Sequence, residues 1–272
     1  MHVKKHLPGA IGIFDSGVGG LTVLKEIKKK LPREHIVYLG DTARVPYGIR
    51  SAETVIKYSL SNTEFLLKQN IKLLVIACNT ASAVANSFLR ERYTVPVVDV
   101  VEPGARRAVK ATGNGRVGII GTMSTIASSA YQKAIKQLDP AIETFTRACP
   151  LFVPLAEEGW CSKDDEVVQL IARRYLEPLK EHGIDTLVLG CTHYPLLKAP
   201  LQEVLGDSIT LIDSAEETAG VVAEQLSAEG LENMTGEPGE DLYYLTDIPQ
   251  RFVDIGRLFL GQELSNVHII DI

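Results

Sequence analysis

Two stretches of the chain, LLVIACNTAS at 73–82 and TLVLGCTHYP at 186–195, share one construction. Each is a short apolar run, rich in Val, Ile and Leu, that ends in a cysteine followed by polar residues. An unbroken apolar run of this length is typical of a parallel strand covered on both faces. The pattern predicts an α/β fold with Cys78 and Cys191 at the carboxyl ends of strands, where open parallel sheets bind ligands.

A second matched pair of segments supports an internal duplication. AIGIFDSGVGG at 10–20 and GRVGIIGTMST at 115–125 both read as a strand, a turn of small residues and a helix. Similar lengths of chain separate Asp15 from Cys78 and Gly121 from Cys191. We therefore expect two similar halves, each ending one strand with a thiol, so that one thiol lies on either side of a small ligand.

Composition excludes several classes of protein. With 272 residues, 45% of them hydrophobic and 23% charged, the chain is of the ordinary folded type, long enough for one large or two smaller α/β domains. Its net charge of −6, with no basic stripe, argues against nucleic acid as the main ligand. No apolar run is long enough to cross a membrane, and the amino terminus lacks the apolar segment of a signal peptide, so we expect a cytoplasmic protein.

The four cysteines and six histidines show no zinc-type spacing, and we expect no metal and free thiols in a reducing compartment. Pro and Gly together mark a break in the run 100–104, where we expect the chain to cross to the second half. Pro178 is expected to bend or end a helix over 164–180. The pattern at 213–216 predicts a helix start, and 227–240 predicts a surface loop. A strand near 242–246, a helix near 249–259 and a strand near 266–270 complete the chain.

Each residue that could take part in catalysis could also have a purely structural role. Buried cysteines are common, and we assign Cys149 and Cys161 to packing. Cys78 and Cys191 differ because each follows a strand and is expected to open a helix. A thiol needs a nearby helix end or proton acceptor to act as a base, and Asp15 and His193 are the candidates.

Other candidates could serve only the fold. Asp15 could cap the helix that follows it, and Tyr47 could be a packing residue. Glu157 and Glu158 could be solvated charges. The polar residues at strand ends could be helix caps, but their joint position favours ligand binding; these are Asn79, Thr80, Thr122 and Thr192.

Two reaction types fit reactive cysteines at strand ends. One thiol with a base would suggest acyl transfer, which leaves the second thiol idle. Two thiols on opposite sides of a ligand suggest that one removes a proton and the other returns one on the opposite face, which inverts a carbon stereocentre. We place no Schiff-base lysine in these loops, so this chemistry would proceed without pyridoxal phosphate.

The ordered motifs D-S-G-V-G-G, G-D-T-x-R-x-P-Y-G, V-I-A-C-N-T-A, G-T-x-x-T and L-G-C-T-H-Y-P run through the chain. Together they resemble the bacterial cofactor-independent glutamate racemases over essentially its whole length. Val45 stands where some relatives carry a cysteine. The resemblance and the matched halves imply two three-layer α/β domains with mostly parallel sheets, related by pseudo-twofold symmetry, with the site in the cleft between them. The first domain would comprise 1–100 plus 213–272, and the second 101–212.

The resemblance also implies roles. Cys78 would take the α-proton from D-glutamate and Cys191 from L-glutamate, with Asp15 assisting Cys78 and His193 assisting Cys191. Asp41 and Glu157 match positions implicated near the site, although Glu158 adjoins Glu157. The remaining matches are to positions that bind the substrate, namely Ser16, Pro46, Tyr47, Gly48, Asn79, Thr80, Thr122 and Thr192.

The expected function is thus interconversion of L- and D-glutamate without a cofactor, supplying D-glutamate for peptidoglycan. The expected partners are the small substrate and a second copy of the chain in a homodimer, with no metal, membrane or nucleic acid. Two alternatives remain open: an aspartate racemase, and a non-catalytic protein that binds amino acids or senses redox state through its thiols.

Overall fold

The computed structural model describes residue 7 and residues 9–247, 252–261 and 263–272. The first part of the chain forms β1 (Ala10–Asp15), α1 (Leu21–Lys30), β2 (Ile36–Gly40), α2 (Ala52–Leu67), β3 (Ile71–Ile76), α3 (Asn79–Arg92) and β4 (Val97–Asp99). The central part forms α4 (Val101–Ala111), β5 (Arg116–Gly121), α5 (Met123–Ser128), α6 (Ala130–Leu138), β6 (Glu143–Ala148), α7 (Phe152–Glu157), α8 (Glu166–Glu181), β7 (Thr186–Gly190), α9 (Lys198–Leu205) and β8 (Thr210–Asp213). The last part forms α10 (Ser214–Ala228), β9 (Asp241–Leu245), α11 (Phe252–Leu260) and β10 (Val267–Ile269).

Two parallel sheets carry the fold. The larger has the strand order β10-β9-β2-β1-β3-β4 and the smaller has the order β6-β5-β7-β8. Every strand pairing described within them is parallel. The run β2-β1-β3-β4 has the same order as β6-β5-β7-β8, so β1 corresponds to β5 and β3 to β7. The predicted α/β fold with two similar halves is therefore confirmed.

The strands form where the sequence is continuously apolar. β1, β2 and β7 are buried at every residue, as expected for strands with helices on both faces. Polar caps fix several helix starts: Ser51 caps α2, Asp165 caps α8 and Asp213 caps α10. The helix start predicted at 213–216 is confirmed.

The chain after β8 returns to the larger sheet. Helix α10 packs against both α1 and α4, and β9 pairs with β2. The predicted strands near 242–246 and 266–270 are present as β9 and β10. The first residues of the helix predicted over 249–259 lie outside the described residues, and α11 covers the rest. The exact domain boundaries stay a prediction.

Two local predictions were wrong, and one of the two outcomes predicted for Pro178 is excluded. Pro103 and Gly104 do not break the chain in the run 100–104, because they lie in the first turn of α4, where proline loses no helical hydrogen bond. Helix α4 does lead from β4 of the larger sheet to β5 of the smaller one. Pro178 does not end α8, which continues to Glu181. Cys191 does not open an α-helix: it begins a turn that leads through a short 3₁₀ segment, Tyr194–Leu197, into α9.

Candidate active site

A cavity of about 150 Å³ lies at the carboxyl ends of the strands, between the two sheets. Both matched thiols, Cys78 after β3 and Cys191 after β7, line it. The two halves thus bring their equivalent strand ends to one shared cavity. The other predicted site residues in its lining are Ser16, Pro46, Tyr47, Gly48, Asn79, Thr80, Thr122, Thr192 and His193.

Cys78 is the N-cap residue of α3 and is 5% exposed. Its sulfur lies 3.7 Å from the hydroxyl oxygen of Ser16. Burial, together with the negative charge of Asp15, raises the pKa of the Cys78 thiol to about 12. The thiol is therefore protonated at neutral pH, ready to give up a proton rather than to take one.

Asp15 ends β1 and is completely buried. Its Oδ2 atom accepts a hydrogen bond of 2.9 Å from the backbone N–H of Gly17. Burial raises the pKa of the Asp15 carboxyl, while the positive charge of His193 acts in the opposite direction. Asp15 is not among the residues that line the cavity, and its negative charge acts on the thiol of Cys78.

The second thiol belongs to a hydrogen-bonded series of three side chains. Nδ1 of His193 lies 3.8 Å from the sulfur of Cys191, and Nε2 lies 3.0 Å from Oε1 of Glu157. Burial works against a charged imidazole, but the hydrogen bonds to Cys191 and Glu157 outweigh it and raise the pKa of His193 to about 10. His193 is accordingly an imidazolium at neutral pH. The structure places Glu157, at the end of α7, as its carboxylate partner.

Asp41 is buried behind the cavity rather than in its lining. Its carboxylate accepts hydrogen bonds from Tyr47 Oη, from Arg44 Nε at 2.8 Å and from Thr246 Oγ1 at 3.0 Å. Asn62 also donates to Tyr47 Oη, at 3.1 Å. These contacts fix the phenol ring of Tyr47 at the cavity wall, so the geometry gives Asp41 a positioning role.

The two halves are joined across the cavity by polar contacts. The hydroxyl oxygens of Thr80, Thr122 and Thr125 lie 2.9–3.2 Å from one another. Gly48 adjoins this group so closely that a Cβ there would lie 2.6 Å from Cβ of Thr122. Hydroxyl groups and the N-terminus of α3 supply hydrogen-bond donors for an anion, and the described lining contains no lysine or arginine.

Sequence reasoning missed the apolar part of the cavity wall. Besides Val45, this part comprises Ile49, Met123, Pro150, Val153 and Pro154. The available signal for Pro150 was the segment before it, which forms β6 and ends at this edge of the sheet. The others lie on short helical segments whose side-chain directions depend on how the two halves pack together.

In the described part of the chain, no three His, Cys, Asp or Glu side chains cluster as metal ligands would. None of the described helices is long and apolar enough to cross a membrane.

Each half contributes one thiol to the site: Cys191 is paired with an imidazole, and Cys78 is under the influence of a carboxylate. Such a site could transfer protons at two positions around one ligand. A family model described as Asp/Glu/Hydantoin racemase matches residues 11–222. The glutamate racemase of Geobacter metallireducens is 59% identical over 263 residues, which cover 97% of each chain. That of Syntrophus aciditrophicus is 53% identical over 262 residues, covering 96% of each.

Solved structures of racemases are similar to this chain as well. The crystal structure of the Francisella tularensis glutamate racemase in complex with D-glutamate has a TM-score of 0.91 at 38% identity, covering 97% of both chains. An aspartate racemase from Picrophilus torridus, 17% identical with a TM-score of 0.58, shares the fold. The chain therefore belongs to the Asp/Glu/Hydantoin racemase family. It is an amino-acid racemase, and racemases are isomerases.

Proposed function

We propose that the chain interconverts L-glutamate and D-glutamate by a two-base mechanism that uses Cys78 and Cys191. The observation that carries the proposal is the shared cavity: equivalent strand ends of the two halves each present a buried thiol to it. The relatives named glutamate racemase, at 53–59% identity over nearly the whole chain, support glutamate as the substrate.

In the direction from L- to D-glutamate, Cys191 acts as a thiolate and takes the α-proton. The electron pair of the broken C–H bond stays on the α-carbon, and Cys78 gives its proton to the opposite face. Cys191 ends as a thiol and Cys78 as a thiolate, so a proton must be exchanged before the next turnover in this direction. In the reverse direction, the product-state thiolate of Cys78 removes the proton of D-glutamate.

The auxiliary residues suit these roles. His193, protonated and held by Glu157, is placed to donate a hydrogen bond to the sulfur of Cys191 when that sulfur carries negative charge. The raised pKa of the Cys78 thiol keeps a proton available for delivery. Asp15 would accept the excess proton or balance charge beside Cys78. The carbanion itself is poorly stabilised, so positioning and exclusion of water must supply much of the rate enhancement.

The two substrate carboxylates would be held by neutral donors. The first backbone N–H groups of α3 and the hydroxyls of Ser16, Thr80, Thr122 and Thr192 surround the cavity. Tyr47 and Gly48 would close the other side. A wall of this kind binds an anion without a lysine or arginine that would also attract the negative thiolate.

The test is to incubate the protein with L-glutamate and, separately, with L-aspartate in deuterated water without added cofactor. We expect D-glutamate that carries deuterium at the α-carbon, and much slower turnover of aspartate. Faster turnover of aspartate would assign the chain as an aspartate racemase. Absence of both products and of α-exchange would assign it as a binding or redox-sensing protein.

The wider setting is part of the same proposal. We infer a cytoplasmic homodimer that supplies D-glutamate for peptidoglycan, with a first domain of 1–100 plus 213–272 and a second of 101–212. The return of β9 and β10 to the larger sheet supports this division. Complementation of a strain that requires D-glutamate and the mass of the protein in solution test these points.

A further inference from the structure

Asn79, the first residue of α3, directly follows Cys78 and lines the cavity with only 2% of its surface exposed. Its side-chain nitrogen Nδ2 donates a hydrogen bond of 2.7 Å to the phenol oxygen of Tyr131. Its carbonyl oxygen Oδ1 is buried, and within the described part of the chain it has no hydrogen-bond partner. A buried acceptor without a partner costs free energy unless a ligand supplies the donor.

Tyr131 lies on α6, in the other half of the molecule, and is 1% exposed. Its ring is held between two close backbone positions: a Cβ at Gly104 or at Gly190 would lie 3.2 or 3.1 Å from a ring carbon. Tyr131 lies outside the cavity lining, so it cannot touch a bound substrate directly.

The phenol group has a defined direction. Its hydroxyl faces the backbone carbonyl of Val100 at 3.5 Å, and a side-chain hydrogen bond joins it to Ser214. Because the Tyr131 proton has this carbonyl as an acceptor, the phenol oxygen is left to accept from the amide nitrogen of Asn79. If the amide were reversed, its nitrogen would take the place of the unpartnered oxygen and would present donors there instead of an acceptor.

We propose that Tyr131 is a positioning residue that fixes the Asn79 amide with its carbonyl oxygen toward the substrate, so that the site selects ligands carrying an ammonium group. This inference rests on the proposed function, since the ammonium would be the α-amino group of the amino-acid substrate. An amide free to turn would instead offer donors, which suit a carboxylate.

The test compares Tyr131→Phe with the wild-type protein on two ligands: D-glutamate as substrate, and glutarate as a competitive inhibitor with the same carboxylates but no ammonium. We expect the KM for D-glutamate to rise roughly tenfold, as for loss of one hydrogen bond to a charged group. The inhibition constant of glutarate should change less than twofold. If Tyr131 had only a structural role, the variant would bind both ligands more weakly by a similar factor. Such a parallel rise in the KM and the inhibition constant, or no change in either, would overturn the inference.

Two further variants keep the test decisive. Tyr243→Phe removes a hydroxyl from another buried tyrosine, whose partner is Asp241, and should leave the ratio of the two constants unchanged. Asn79→Ala removes the amide, and in that background Tyr131→Phe should not alter the ratio further. A further change there would contradict the inference even if Tyr131→Phe alone folds poorly. Failure of the wild-type protein to racemise glutamate would instead overturn the proposed function.

Discussion

Nε2 of His193 lies 3.0 Å from Oε1 of Glu157, and the other ring nitrogen faces the sulfur of Cys191. The carboxylate therefore fixes both the charge and the direction of the imidazole. Glu157→Gln would keep the shape but remove the charge that favours an imidazolium. We expect kcat to fall roughly tenfold to a hundredfold, with L-glutamate as the more affected substrate, because loss of a general acid or base partner has effects of about this size.

The neighbouring residue offers a matched control for that variant. Glu158 is exposed and adjoins Glu157 in the sequence, so Glu158→Gln makes the same chemical change one position away. Its steady-state rates in both directions should stay within about twofold of the wild-type values. Equal losses in the two variants would show that the His193 contact of Glu157 is not the cause.

The same pair makes stability depend on pH. Burial lowers the pKa of His193, but the hydrogen bonds to Cys191 and Glu157 outweigh burial. Together these effects raise the pKa from 6.5 to about 10 in the folded protein. A group whose pKa is raised on folding stabilises the folded protein. This stabilisation is fully present below about pH 6.5 and is lost as the pH rises through about 10. Glu157→Gln should therefore lower the melting temperature most near pH 6, with a smaller difference near pH 10. A difference that grows with pH would contradict this assignment.

Asp15 should slow chemical modification of Cys78 while supporting catalysis. Burial and the charge of Asp15 both raise the pKa of the Cys78 thiol. Asp15→Asn removes the charge, so more thiolate should be present at pH 9 and alkylation of Cys78 by iodoacetamide should become severalfold faster. Turnover of D-glutamate should nevertheless fall.

Mass spectrometry of the alkylated peptides measures this directly, and Cys161 is an internal control. Only burial shifts the pKa of the Cys161 thiol, so its alkylation rate should be the same in both proteins. Slower alkylation of Cys78 in Asp15→Asn would show that Asp15 activates the resting thiol instead of keeping it protonated.

Gly19 sets the distance between the two halves near the second thiol. A Cβ at this position would lie 2.6 Å from Nδ1 of His193 and would also overlap the hydroxyl of Thr192. Gly19→Ala should displace the loop that carries Cys191 and lower kcat by at least about tenfold. Gly17→Ala, in the same turn, would meet its nearest neighbour, Cγ2 of Val45, at 3.6 Å and should be far milder. Similar losses in both variants would rule out this steric explanation.

Much of the framework could be predicted from sequence because apolar runs and polar strand ends are local signals. The runs before Cys78 and Cys191 predicted buried parallel strands, and the DSGVGG and GTMST turns predicted the strand ends that face them. The family resemblance added Tyr47 and Glu157, which no spacing rule would single out. The sequence does not decide between Glu157 and Glu158, since only the direction of α7 determines which carboxylate reaches His193.

The remaining features depend on contacts between distant segments. The role of Asp41 behind Tyr47 requires Thr246 and Asn62, which come from two other parts of the chain. The predicted break at Pro103 was wrong because proline is also favourable in the first turn of a helix. The contact between Tyr131 and Asn79 joins the two halves and leaves no local pattern in the sequence.

The central claim is that two thiols work on one substrate, and conversion of each glutamate enantiomer by Cys78→Ser and Cys191→Ser tests it most directly. Cys161→Ser, in which a half-buried thiol is changed, serves as the control. We expect both active-site variants to lose racemisation in both directions, while the control keeps the wild-type rate. Full activity in either Cys78→Ser or Cys191→Ser would contradict the two-base account.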